Sequence, residues 1–300
     1  MRSCLIAAVV AAGIAGICSA RHILVLGDES RGAIHYVDQF NPANSFSVPA
    51  PRPVWDLRAC GPGRFRSVSG KGFTVTDLKA RQAVDTFSDD ALEGLTSVCD
   101  LPDRGFIAGT NQKVDGKEAV VVYTFSADRQ LKGKSVFRDI NTLRMMTRLP
   151  NGDVLLAHND GLLRGRLAAA GSEEGTALQT CKLPRGRNAY MAIPRKPIGN
   201  KPSGYWVSGG YACQAYAYTE DGVLDKTFEA KMPAGLKNNF YAGLVEMPNG
   251  NLVVANWTGH GADNGKVGWQ VLEFDKNGVC VWHLHDPEAY GSISGVIVLK

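Results

Sequence analysis

No Cys-x-x-Cys pair occurs anywhere in this chain, so neither a zinc ribbon nor a dithiol redox motif is available to it. Charge of one sign is missing too. Lys and Arg number 33 against 29 Asp and Glu, a net +4 with no basic block, and this argues against a nucleic-acid surface. Catalytic signatures are equally scarce. There is no H-E-x-x-H, no EF-hand loop, no G-x-S-x-G elbow and no Gly-rich phosphate loop after a strand. No stretch reads as a long amphipathic helix. What remains is a chain of 300 residues, 44% hydrophobic and 21% charged, which is a globular composition. Its 34 glycines and 14 prolines imply many turns, as in an all-β protein.

The first twenty residues read as a signal peptide. Arg2 supplies a positive charge, Cys4 to Ile17 is an unbroken apolar and small run, and Cys18-Ser19-Ala20 is a small-residue cleavage site. The run is shorter than the about 20 residues that cross a bilayer comfortably. A membrane anchor, or a lipoprotein modified on Cys18, are the alternatives. The mature chain, 21–300, is expected to be exported, whether periplasmic, secreted or at the cell surface, with no membrane span. It carries five cysteines, Cys60, Cys99, Cys181, Cys213 and Cys280, so at least one is unpaired or pairs between chains.

An internal repeat dominates the rest. Leu149-Pro150-Asn151-Gly152 precedes Val154-Leu155-Leu156-Ala157, and Met247-Pro248-Asn249-Gly250 precedes Leu252-Val253-Val254-Ala255. Each is a strand, a tight Asn-Gly turn and a second strand. Weaker copies surround Pro62, Pro102 and Pro197. The five prolines are spaced by 40, 48, 47 and 51 residues, the period of four-stranded propeller blades. Later in each unit, Asp275-Lys276-Asn277-Gly278, Glu220-Asp221-Gly222 and Ala127-Asp128-Arg129 turn a third strand into a fourth. Five units run over 54–90, 91–140, 141–186, 187–236 and 237–287. The C-terminal Ile293 to Leu299 offers one more strand, and Ile23–Leu26, Ala33–Val37 and Ser45–Val48 offer three. One and three make a sixth blade, so the expected fold is a six-bladed β-propeller closed by both termini. Seven blades would require a merged unit.

These Leu-Pro-Asn-Gly and Asp-x-x-Gly turns resemble exported bacterial propellers of the broad NHL-type, arylsulfotransferase-like and quinoprotein-like class. The resemblance implies architecture alone. The tryptophan docking pattern of quinoprotein repeats is not evident, and Trp55-Asp56 and Gly259-His260 occur once each instead of as a WD-repeat set.

Both kinds of regular turn must lie on one face of the disc. The other face carries the irregular loops, where function is expected. The longest of these, Asn256 to Lys266, includes Trp257 and His260. Seven residues before each turn proline stand Trp55, Leu95, Leu143, Tyr190 and Tyr241, at the start of the inner strands. Their polar neighbours are Asp56, Arg144, Arg187, Asn188, Asn238 and Asn239. Aromatic rings beside polar groups suit a sugar or another flat ligand, although large rings also serve blade packing. The candidate ligand-binding set is therefore Trp55, Asp56, Arg144, Tyr190, Tyr241, Asn256, Trp257 and His260, for a glycan, a peptide, a protein or a small molecule. The alternative is a metal-dependent hydrolase or lyase at the channel mouth, with a divalent cation on His158 and His260 aided by Asp28, Glu29, Asp160 or Asp263. No other cofactor is expected. His283 and His285 share one face of an outer strand and read as a surface pair.

Overall fold

The computed structural model describes residues 21–184, 188–197, 203–232, 235 and 237–300. Twenty-four strands form six four-stranded antiparallel sheets. The chain opens with β1 (Ile23–Asp28), β2 (Ala33–Asp38) and β3 (Phe46–Pro49). Blade one is β4 (Leu57–Gly61), β5 (Arg64–Ser69), β6 (Gly72–Asp77) and β7 (Gln82–Ser88). Blade two is β8 (Leu95–Asp100), β9 (Phe106–Val114), β10 (Lys117–Phe125) and β11 (Leu131–Phe137). Blade three is β12 (Leu143–Arg148), β13 (Val154–His158), β14 (Gly161–Arg166) and β15 (Thr176–Lys182). Blade four is β16 (Ala192–Arg195), β17 (Gly204–Ser208), β18 (Gln214–Thr219) and β19 (Leu224–Glu229). Blade five is β20 (Tyr241–Glu246), β21 (Leu252–Asn256), β22 (Val271–Phe274) and β23 (Cys280–Leu284), and β24 (Ile293–Val298) ends the chain. The architecture is the six-bladed propeller that the repeat predicts. The leader, Arg187 and the expanded turn after Pro197 lie outside the described residues.

Closure follows the one-plus-three scheme. β24 pairs antiparallel with β1, Leu24 opposite Val298 and Leu26 opposite Val296, so the last strand becomes the innermost strand of blade six. Ile23 N–H also donates to Lys300 O at 2.9 Å. No sheet edge is left open at the seam, and both ends are tied into one blade.

The Asn-Gly turns behave as their residues require. Gly152 and Gly250 have φ of +91° and +84°, a region that L side chains avoid. Leu149 N–H bonds Asp153 O and Met247 N–H bonds Asn251 O, closing both hairpins in the same way.

The core is divided into wedges between neighbouring blades. One cluster joins Leu155, Ala157 and Leu162 of blade three to Tyr205, Val207 and Tyr216 of blade four. Equivalent clusters sit between blades two and three, four and five, five and six, one and two, and six and one. Each sheet is therefore apolar on both faces of its inner strands, as in the buried runs of β13 and β21. None of the five cysteines in this region forms a disulfide. Burial pushes the thiols of Cys181 and Cys213 up to about 11, so they behave as small core hydrophobes. Among the described residues no helix is long and apolar enough to cross a membrane.

Candidate functional site

A cleft opens on the irregular face, at the mouth of the central channel. It is lined by Glu29, Trp55, Arg144, Tyr190, Tyr211, Phe240, Trp257, His260 and Ser294, with a volume of about 150 Å³. Every one of these residues comes from a loop joining strands two and three of a blade, from a blade-to-blade connection, or from the first turn of an inner strand. A shallower groove of about 470 Å³ adjoins it, reaching Lys71, Glu93, Thr96 and Asn111, and it shares Trp55, Arg144 and Tyr190 with the cleft.

The aromatic wall is continuous. Tyr211 packs edge-on against Phe240 at 4.7 Å between ring centroids, Phe240 against Trp257 at 5.5 Å, and Trp257 against His260 at 4.8 Å. Trp55 closes the circle 6.3 Å from His260, and Tyr190 meets Phe240 at 5.6 Å. Glu29 anchors this wall. It is 3% exposed; its Oε2 accepts the Trp257 indole N–H at 3.1 Å and its Oε1 bonds His260 Nδ1 at 2.9 Å. With the carboxylate on Nδ1, His260 Nε2 is left toward solvent, the side chain being 66% exposed.

The floor is made by a bond across the ring. Tyr190 leads into blade four and Trp55 into blade one, and Tyr190 Oη donates to Trp55 O at 2.6 Å. Desolvation, with Asp56 and Glu29 nearby, pushes the Tyr190 hydroxyl well above the usual tyrosine range. It stays protonated and serves as a donor.

Arg144 owes its place to a β-bulge. The register of β12 against β13 slips between Leu143 and Met145, so Arg144 is unpaired in the ladder and turns toward the mouth. Its Nη2 donates to Asn188 Oδ1 at 3.2 Å, while its Nε is buried with no partner among the described residues.

The remaining candidates stand elsewhere. Asp56 is 1% exposed and works inside the channel: it accepts from Arg58 Nε at 2.8 Å and Ser97 Oγ at 2.5 Å, and Arg58 Nη2 reaches Met146 O at 2.8 Å. This set ties blades one, two and three together. Tyr241 is fully buried between blades four and five, its hydroxyl accepting from Asn238 Nδ2. The cleft position belongs to Phe240, the last residue of the connection before β20. Asn256 is also fully buried and frames the wall. Its Oδ1 accepts from the N–H groups of Asn239 and Phe240, and its Nδ2 donates to Trp269 O at 2.7 Å.

His158 does not join His260. It ends β13, is 6% exposed, and its Nε2 has no partner among the described residues, whereas His260 bonds Glu29. Burial pushes the His158 imidazole below the ordinary histidine range, partly opposed by Asp160. Among the described residues no three His, Cys, Asp or Glu side chains are grouped to hold a metal. Asp28 bonds His35 and Gly291 N–H inside blade six, and His283 and His285 flank the Trp269 ring. Reading the sequence missed Tyr211, Phe240 and Ser294. Tyr211 had a usable signal, since it sits in the same loop of blade four that holds Trp257 in blade five.

The fold and the cleft define a six-bladed β-propeller with an aromatic, loop-built pocket at its channel mouth. A crystal structure of a protein of unknown function from Bacteroides caccae is similar over 94% of this chain and all of that one, at 18% identity and TM-score 0.72. The extracellular domain of BT4673 from B. thetaiotaomicron matches 93% of this chain and 35% of its own, at 15% identity and TM-score 0.48. The first of these likenesses speaks to fold alone. No family model matches the chain, and no curated protein matches it.

Proposed function

We propose that this protein is an exported propeller that binds a carbohydrate in the cleft at the channel mouth without transforming it. The observation that carries this reading is the unbroken aromatic wall from Tyr211 through Phe240 and Trp257 to Trp55, held by one buried carboxylate. Ring faces bury the apolar face of a sugar while polar groups at the rim meet its hydroxyls. The wall is braced before any ligand arrives, which lowers the ordering cost of binding. Export rests on the leader at residues 1–20. Calorimetric titration with a glycan panel tests the reading. Trp55→Ala and Trp257→Ala should each weaken a sugar that binds by about 2 kcal/mol, about thirtyfold, with the fold retained. Absence of binding by every glycan overturns it.

One observation favours a second reading, a hydrolase or lyase. His260 bonded through Nδ1 to buried Glu29 is an oriented imidazole with its other nitrogen free, the arrangement of a general base. Turnover of a bound glycan, lost in His260→Ala, decides for that reading.

A further inference from the structure

Arg144 is the one cation of the cleft and its adjoining groove that has no carboxylate partner among the described residues. The other cation, Lys71, pairs with Glu93 at 2.9 Å and with Asp90 at 3.2 Å. The cleft's own acid is already engaged, since Glu29 gives one oxygen to Trp257 and the other to His260. Among the described residues Arg144 in contrast has a single neutral partner, Asn188 Oδ1 at 3.2 Å, and a buried Nε with nothing to donate to. A guanidinium carries five N–H donors in a planar fork, and a buried donor left unmade is costly. The group that satisfies such a fork is a planar oxyanion, taken by two parallel N–H···O bonds.

We propose that the sugar bound here is an acidic one, its uronate carboxylate held by Arg144 while its ring lies against Trp55. The proposal deepens the carbohydrate-binding reading and rests on it. Arg144, Trp55 and Tyr190 line both the cleft and the groove, so the carboxylate site stands where the two halves meet. A chain of several residues can then run from the Trp257 side toward Lys71 and Asn111. The bulge in β12 is what makes this residue available: with regular pairing, position 144 would alternate into the ladder instead of facing the mouth.

The experiment titrates the purified protein with oligogalacturonate and, separately, with its fully methyl-esterified form, which keeps the rings and removes the charge. The acid should bind more tightly, by about ten- to a hundredfold, the range of a hydrogen bond to a charged group. Arg144→Gln should remove that preference, and Arg144→Lys should restore only part of it, because an ammonium lacks the fork. Thermal melting of each variant separates lost recognition from lost fold. Equal affinity for acid and ester, or an Arg144→Gln protein that still prefers the acid, overturns the carboxylate assignment and leaves the sugar-binding reading in place. Preference for a sulfated glycan over oligogalacturonate also overturns it. Binding of neither form, nor of any neutral glycan, overturns the broader reading as well.

Discussion

Tyr190 Oη lies 2.6 Å from the carbonyl oxygen of Trp55, and the two residues belong to blades facing each other across the ring. One hydroxyl thus does two things: it closes the channel beneath the cleft and it satisfies a carbonyl that water reaches poorly. Tyr190→Phe keeps the ring against Phe240 and removes only the donor. The expected cost is about 1–2 kcal/mol of unfolding free energy, read by chemical denaturation, because the carbonyl is then left unpaired. A variant as stable as the parent would show that the cross-ring bond contributes nothing.

Deeper in the channel, Asp56 is matched to Arg58, whose side chain is 19% exposed and which reaches blade three at Met146 O. Removing the acid leaves a cation enclosed without its charge partner. Asp56→Ala should therefore destabilise by about 3–5 kcal/mol. The double variant Asp56→Ala/Arg58→Met should recover much of that loss, since neither charge remains to be compensated. Equilibrium denaturation of the two single variants and the double variant measures the coupling.

Asp56 reads from the sequence as a binding residue, and the structure places it as a buried link between blades one, two and three. Propeller repeats announce themselves through turns: Asn-Gly and Asp-Gly sit where positive φ is needed, and the proline period counts the blades. Fold, closure and the face that carries the irregular loops follow from those local requirements. The side chains at the mouth depend on something finer. A β-bulge at the start of β12 shifts which residue faces the channel and moves Arg144 in, while in blade five the cleft takes Phe240 from the connection and Tyr241 enters the core. A bulge inserts one residue without a strong composition cue, so the alternation of in and out cannot be carried through it from sequence. The pairing of Glu29 with Trp257 and His260 spans 228 and 231 positions of the chain and becomes visible only once the ring is closed.

Gly204 opens β17, and a Cβ built on it would meet Tyr218 O at 2.0 Å. The three nearest atoms are all backbone of Tyr218 and Thr219, so no flexible side chain is there to yield. Gly204→Ala should cost about 3 kcal/mol, the upper part of the usual range for overpacking. Gly152→Ala is the comparison, because there the space is open and only the φ of +91° resists the methyl group. It should cost less, about 1 kcal/mol. Melting of both variants distinguishes the two mechanisms.

Acidification should weaken the fold in two stages. His158 is buried, and desolvation holds its imidazole below the ordinary histidine value of 6.5 despite Asp160. The folded chain therefore binds this proton less readily than the unfolded chain. Its contribution is complete above 6.5 and declines as the pH falls from there through the lower folded value. Asp28 and Glu273 act further down. Burial alone would raise both carboxyls, but His35 with the Gly291 and Arg31 N–H groups, and His22 with Asn251, outweigh it and hold them below 3.8 and 4.5. Their stabilisation is present above those values and is lost as the pH falls through the depressed ones. Denaturation midpoints measured between about pH 3 and 8 should show both declines. His158→Gln should flatten the upper one and leave the lower one in place, since Asp28 and Glu273 lie in blades six and five and His158 in blade three. An upper decline that survives this substitution would assign it to another group.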